Sequence, residues 1–479
     1  MKLLNARFGF ATNSSSTHSL IIKPGLSDDL PERDGFGWEN FTLASKTAKN
    51  RYLAATLAAE LRSWVPKWAL GNVLRNWLDM SPEDLPDFDL EDMYVDHDSL
   101  WAIPCDRFAQ NTYSNDPIWP SREFVADLKD FLLNTPGLTI LGGNDNDEAH
   151  PLRDGTAFSL PIEEMGCAQG LVARKDKKDG YWTVFNKITG ARFRFHFNPK
   201  KKVPERAYAP ELVDLTITHQ CHQGCKYCYA DATPDGKHAD HENVRLILQA
   251  LGELGVFEVA FGGGEPTLYP EFFRMLSTVV YNGIVPNFST RNLNWLLDRE
   301  SRDAVIEKVG GFAVSCDLYK DVQRVDQIME RFPEISKKVS IQVIYGVVPQ
   351  WEWYHIMNLC ATNNWPVTIL GFKPFGRGKG FKQEKYQDGL PYPFAGREHK
   401  DPLPRIGIDT ALAKQLEPVL KDAGVSSWLY SVKEGTHSMA IDAVTMQAAP
   451  SSFAPVKQQV SIKGTEKSIG EAFRSWQNG

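Results

Sequence analysis

Three of the chain's seven cysteines fall within eight residues, in the run Cys221-His-Gln-Gly-Cys225-Lys-Tyr-Cys228. The spacing is C-x3-C-x2-C, while Cys105, Cys167, Cys316 and Cys360 stand far apart. An odd count with one tight triplet is not a disulfide framework, which spreads pairs through a short secreted chain. Clustered thiolates bind metal. A structural zinc site closes with four ligands, and His219, His222, His238 or His241 would have to supply the fourth. An iron-sulfur cubane held by three thiolates instead leaves one iron without a protein ligand, a position that a substrate or cofactor can fill. The triplet alone leaves both chemistries open.

The elements that position it are short β-branched runs at 212–218, 256–261, 285–289, 312–316, 339–345 and 367–371. Between them lie stretches of helical period, such as 243–254 with Val244, Ile247, Leu248 and Leu251, and 271–281 with Phe272, Met275, Leu276 and Val279. Six strands alternating with helices imply a parallel, right-handed array that closes partly into a barrel, with ligands at the carboxyl ends of the strands. The cysteine run follows the first strand directly. The second strand leads into Gly262-Gly-Gly-Glu265-Pro266, where bare glycines let the backbone approach a ligand closely, and where Glu265 or nearby carbonyls can accept hydrogen bonds from an ammonium. Ser289-Thr-Arg-Asn292 ends the third strand. At the fourth, Ser315 and Asp317 lie two apart and point together into the site, while Cys316 points to the helix layer.

Taken together, these motifs resemble the radical S-adenosylmethionine (SAM) enzymes over residues 211–378. The resemblance implies one 4Fe-4S cluster on Cys221, Cys225 and Cys228, with Tyr227 as the aromatic residue before the last cysteine. It also implies SAM on the open iron, cleaved reductively to a 5'-deoxyadenosyl radical that abstracts hydrogen, with an external donor such as flavodoxin or ferredoxin. Gly262, Gly263, Gly264 and Glu265 would hold the methionine amino group, Ser315 and Asp317 the ribose hydroxyls and carboxylate, and 371–378 the adenine. Ser289 and Arg291 fit the polar third-strand turn less specifically.

The rest of the chain sets the context. With 479 residues, 42 % hydrophobic and 24 % charged, it is a multi-domain globular protein rather than a disordered or fibrous one. A net charge of −7 argues against a surface that coats nucleic acid. No run approaches the roughly 18 to 20 apolar residues of a membrane helix, and the N-terminus has no apolar signal core, so the expectation is a cytoplasmic protein without membrane contact. The fold expected is α/β, a partial (β/α)6 TIM-like barrel at 206–380. An α+β N-terminal domain of unread role spans 1–160, with helices at 44–64 and 121–133. A β-hairpin unit spans 161–205 and a C-terminal α/β extension 381–479.

The hairpin unit puts Arg192, Arg194 and His196 on one strand face and carries Arg174, Lys175, Lys177 and Lys178. That face is either solvated or a dock for an acidic peptide, a partner or nucleic acid. The extension is expected to hold a helix at 410–421, strands at 428–432 and 439–444, and a loosely ordered tail beyond 448. It is similar to the SPASM extensions of peptide-modifying relatives, but no cysteine follows Cys360, so no auxiliary cluster is expected. The resemblance favours a ribosomally made peptide as substrate, modified by epimerisation, crosslinking or splicease-type excision, with an accessory protein as a further partner. Cys167 would be the thiol hydrogen donor of an epimerase, or merely structural. The alternatives are a nucleic acid or small metabolite as substrate, and a zinc-stabilised binding module without catalysis.

Overall fold

The computed structural model describes residues 16–22, 25–30, 35–36, 39, 41–61, 67–78, 94–95, 122–144, 171–188, 190, 192–197, 201, 203–386, 404–422 and 430–476. The chain divides into two units, Met1–Val203 and Pro204–Gly479.

The first unit holds β1 (Ser16–Ile22), β2 (Gly35–Phe36), β3 (Phe41–Leu43), α1 (Lys46–Leu61), α2 (Lys67–Leu78), β4 (Tyr94–Val95), α3 (Arg122–Asn134) and β5 (Leu138–Asn144). It ends with β6 (Leu171–Lys175), β7 (Trp182–Asn186) and β8 (Arg192–Phe195). Strand β5 is the centre of one antiparallel sheet, between β1 and β3. Phe36 and Tyr52 meet edge to face at 5.1 Å in its core. The expected hairpin is a three-stranded antiparallel sheet with β7 in the middle and buried along its whole length. One member of the basic patch is neutralised locally: Lys175 pairs with Asp127 at 2.7 Å and Glu123 at 3.1 Å, both on α3.

The second unit alternates strand and helix as its apolar pattern requires. In order come β9 (Leu212–Thr218), α4 (His241–Glu253), β10 (Glu258–Gly263), α5 (Phe272–Tyr281), β11 (Val285–Thr290), α6 (Arg299–Lys308), β12 (Phe312–Ser315), α7 (Tyr319–Met329) and α8 (Pro333–Ser336). Then follow β13 (Val339–Ile344), α9 (Trp353–Thr362) and β14 (Val367–Leu370). Helix α4 shows the local logic. Asp240 caps it by accepting from the Glu242 and Asn243 amides, and the stripe Val244, Ile247, Leu248 and Leu251 is buried.

The six strands β9 to β14 are parallel, and the array does not stop there. Residues 406–408 add β15 (Ile406–Ile408) parallel to β14, and β16 (Ser438–Asp442) lies parallel to β9. Both edges of the six-strand core are thus covered by the C-terminal segment, which is how the exposed ladders of β9 and β14 are satisfied. Strands β17 (Gln447–Ala449) and β18 (Val460–Ser461) continue antiparallel beyond β16, making ten strands in all.

Helix α10 (Thr410–Asp422) follows β15, and α11 (Glu466–Ser475) ends the described chain. The tail expected to be loose is therefore ordered. Helix α11 is capped by Thr465 and buries Ile469, Ala472 and Phe473. Its two large side chains bring about 1.5 to 3 kcal/mol each from burial. Conversely, the strand expected at 428–432 is absent at 430–432, its described residues. No helix among the described residues is long and apolar enough to cross a membrane.

Alternation along the strands sorts the two faces of the sheet. Val213, Leu215, Ile217, Val259, Ile341, Val343, Val367 and Ile369 are fully buried against the helix layer. The opposite face carries Asp214, Thr216, Ser315, Gln342 and Thr368, which line a cavity of about 620 Å³. A barrel of this type normally fills its interior with branched apolar side chains. This one keeps an open interior, with polar side chains from four strands set among its apolar lining.

Candidate functional site

The cysteine run leaves the end of β9 and is fixed from two sides. From above, the Gly-rich turn after β10 lies against its start: Gly264 N donates to Thr218 O at 2.7 Å and Glu265 N to Gln220 O at 2.8 Å. A Cβ on Gly264 would sit 2.1 Å from Gln220 O, so this glycine is required by contact with the cysteine run itself. From below, Arg377 holds the loop by its backbone. Its amide donates to Cys228 O at 3.0 Å, Nε to Cys225 O at 3.0 Å, and Nη1 to Ala232 O at 3.0 Å and Asp231 Oδ1 at 2.9 Å. The neighbouring Gly376 has φ +50°, and a Cβ there would lie 2.6 Å from Tyr229 O. Held this way, the partly exposed thiols of Cys221, Cys225 and Cys228 line the cavity.

Glu265 is 4 % exposed, and its carboxylate is already fully hydrogen-bonded. Oε1 accepts from Thr267 N at 3.3 Å, Thr267 Oγ1 at 2.8 Å and Thr290 Oγ1 at 2.7 Å; Oε2 accepts from Arg291 N at 2.9 Å. The Glu265 side chain thus ties the second strand's turn to the third while lining the cavity. Gly262 differs from Gly264 in its free space: both line the cavity, but a Cβ on Gly262 would meet nothing within 4 Å.

At the ends of β11 and β12 a second network forms. Arg291 donates Nη1 to Asp317 Oδ2 at 3.0 Å and Nη2 to Asp317 Oδ1 at 2.6 Å, while the Tyr227 hydroxyl donates to Asp317 and accepts from Arg291. Burial raises the Tyr227 phenol far above its ordinary range, with Arg291 opposing the rise. Burial works against the Arg291 charge, but its bonds to Asp317 outweigh that and hold the guanidinium charged. Asp317 is therefore a partner within the protein, and Ser315 donates to Gln342 Oε1 at 3.1 Å.

Every expected site residue except Asp317 lines the one cavity: the three cysteines, Tyr227, Gly262, Gly263, Gly264, Glu265, Ser289, Arg291 and Ser315. Asp317 joins it through two of them. Of 371–378, Gly371, Phe372 and Lys373 line the cavity, while Gly376 and Arg377 support the cysteine loop instead. Cys316 is buried, as expected for the helix side, and burial pushes its thiol up to about 12. Cys167 lies outside the described residues.

Sequence reasoning missed the far wall of the cavity, where Asp214, Lys373, Asp409 and Glu434 meet. Asp409 caps α10 by accepting from Leu412 N at 2.8 Å, takes Gly371 N at 2.8 Å, and pairs with Lys373 at 3.5 Å. Lys373 also lies over the rings of Tyr229 at 5.0 Å and Phe453 at 4.8 Å. Burial raises the pKa of Asp214, against Lys373, and lifts that of Glu434 to about 7.

A single zinc ion needs its donors within about 2.3 Å of one point. Among the described residues no three His, Cys, Asp or Glu side chains converge that way. Three soft thiolates lining one cavity, beside a glycine with free space, fit an iron-sulfur cluster with a small-molecule ligand.

Residues 215–305 match the radical SAM superfamily. Among curated relatives, a probable GTP 3',8-cyclase of Sulfolobus acidocaldarius is 30% identical over 189 residues, covering 36% of this chain and 60% of that one. A PqqA peptide cyclase of Bradyrhizobium diazoefficiens is 34% identical over 93 residues, 19% of this chain and 24% of that one. This chain therefore spans less than two thirds of the length of either relative. The crystal structure of Streptococcus suis SuiB aligns with a TM-score of 0.46 at 13% identity, over 64% of this chain and 87% of that one.

Proposed function

We propose that this chain, which carries a radical SAM superfamily domain, holds a 4Fe-4S cluster on Cys221, Cys225 and Cys228 and uses SAM to abstract hydrogen from a ribosomally made peptide. The observation that carries the reading is the placement of those three thiols at the carboxyl end of β9, opening into a cavity whose polar wall has room beside Gly262. When bound, the cluster and SAM supply one-electron cleavage and a hydrogen-abstracting radical. The chain supplies position. Arg377 and Gly264 fix the thiol loop, the carbonyls around Gly262 and Gly263 accept from the methionine ammonium, and the Arg291–Asp317–Tyr227 network sets the wall beside it. Electrons come from an external donor of the flavodoxin or ferredoxin type, and an accessory protein is a further proposed partner.

The similarity to a peptide cyclase supports a peptide, and that to GTP 3',8-cyclases supports a nucleotide. The far wall favours the peptide. It presents Asp214, Asp409 and Glu434 against the single Lys373, a balance that repels polyphosphate. Anaerobically reconstituted protein is expected to hold about four irons and four sulfides per chain and, reduced with dithionite, to form 5'-deoxyadenosine from SAM. Cys225→Ala should lose both. One zinc per chain with no SAM cleavage would instead establish the binding module.

A further inference from the structure

Two carboxylates on the cavity wall have no partner among the described residues. Asp214 projects from the inner face of β9, and its neighbours in register are Ala260 on β10 and Ala440 on β16. Small residues on both sides leave the carboxylate open to the cavity rather than packed. Glu434, just before β16, faces the same space. Among the described residues no donor lies within hydrogen-bond or ion-pair distance of either. Lys373, the lysine that lines the same wall, is engaged by Asp409 and enclosed by Tyr229 and Phe453. It acts on Asp214 and Glu434 only from beyond ion-pair range, as Lys414 does on Glu434. Asp409 is occupied by the α10 cap and by Lys373.

A carboxylate that folding places between alanines, open to a cavity and without a protein donor, adds nothing to the packing and is matched only by cavity water until a ligand completes it. The cavity that contains it also contains the three thiols. We propose that Asp214, assisted by Glu434, is the specificity-determining pair of this site and receives a cationic group of the substrate, a primary ammonium or a guanidinium such as a lysine- or arginine-like side chain. This deepens the proposed function and rests on its reading of the cavity as the substrate site. A cation there completes the charge balance of the wall, excludes phosphate-bearing competitors, and orients the part of the peptide that reaches toward the cysteine loop.

The test is calorimetric titration of the full chain, with and without reconstituted cluster and SAM. The probes are n-butylammonium, n-butylguanidinium and, as a neutral match of similar shape, n-butanol. At least one cation should bind at least about tenfold more tightly than butanol, which corresponds to about 1.4 kcal/mol. Asp214→Asn should bring the cations to the level of butanol, and Glu434→Gln should weaken them several-fold. Asp214→Asn should also melt at or above the wild-type temperature, because the carboxylate has no partner to lose. Cations binding no better than butanol would overturn the proposal, as would undiminished cation binding in Asp214→Asn. So would a clearly lower melting temperature for that variant, since the carboxylate would then be a structural partner. Cation selectivity without SAM cleavage would sink the radical reading and leave this one, and SAM cleavage without cation selectivity would do the reverse.

Discussion

The Arg291 guanidinium grips the Asp317 carboxylate through two parallel bonds of 3.0 and 2.6 Å, and the Tyr227 hydroxyl closes the triangle. Arg291 follows β11, Asp317 follows β12 and Tyr227 lies inside the cysteine run, so one bidentate pair ties two separate strand ends to the thiol loop. Its cost in desolvation is moderate, because the side chains are 22% and 27% exposed. Its geometry is one only arginine supplies.

Arg291→Lys should therefore fail to substitute for arginine. A lysine keeps the charge but cannot bond both oxygens of Asp317 and the phenol together. Loss of charge-assisted bonds in a partly buried site costs about 1.5 to 3 kcal/mol. Denaturant unfolding of the apoprotein should show that loss. Wild-type stability in Arg291→Lys would mean the fork is incidental.

Arg377 offers a second test. Its side-chain contacts are to carbonyls on the cysteine loop and to Asp231, so its truncation leaves the thiols in place but removes three of the bonds that hold their backbone. Arg377→Ala should fold, take up iron more slowly and retain less than half of the wild-type iron per chain after gel filtration. The readout is iron and sulfide content. Full retention would show that the loop is preorganised without it.

Arg377 also marks the boundary of what was readable. The thiol spacing, the Gly-rich turn and the strands of 211–376 are local patterns, and each lies on its strand end as the periodicity demands. The Arg377 contacts are made across 145 to 152 residues to backbone atoms, which leave no trace in side-chain pattern. Strand β15 has three residues and β16 five, too short for their alternation to reveal that they extend the array at both edges. Asp214 was hidden for another reason. A single acid inside a β-branched run reads as a solvent-facing position, and only the assembled array shows that the solvent is an interior cavity.

The two glycines of the Gly-rich turn should separate under substitution. A Cβ at Gly264 meets Gln220 O at 2.1 Å, whereas one at Gly262 meets nothing within 4 Å and enters the cavity. Gly264→Ala should destabilise the chain by at least about 2 kcal/mol, since backbone must move. Gly262→Ala should keep the wild-type melting temperature and lower SAM affinity about tenfold or more through lost space at the ligand. Equilibrium dialysis with SAM beside thermal unfolding checks both. Equal effects of the two substitutions on stability would contradict the geometry.

Glu434 supplies the pH dependence. Burial among the cavity walls is the main cause lifting its pKa from the ordinary 4.5 to about 7; Asp409 and Asp214 add to the rise, while Lys373 and Lys414 oppose it. Between those two values the folded chain holds a proton that the unfolded chain has released. Stability from this residue is therefore full below pH 4.5, falls as pH rises through the window, and is lowest above 7. The side chain retains contact with cavity water, so screening keeps the effect modest. Glu434→Gln cannot ionise and escapes the loss. Denaturation midpoints of the two proteins should be closest at low pH, with Glu434→Gln pulling ahead from about pH 5 to 7 and the gap then constant. Taking the difference between the proteins cancels the titration of every other group whose environment the substitution leaves alone. A gap that instead opened in favour of the wild type as pH rose would mean that Lys373 pairs with Glu434 in solution, and the open acidic wall would not exist.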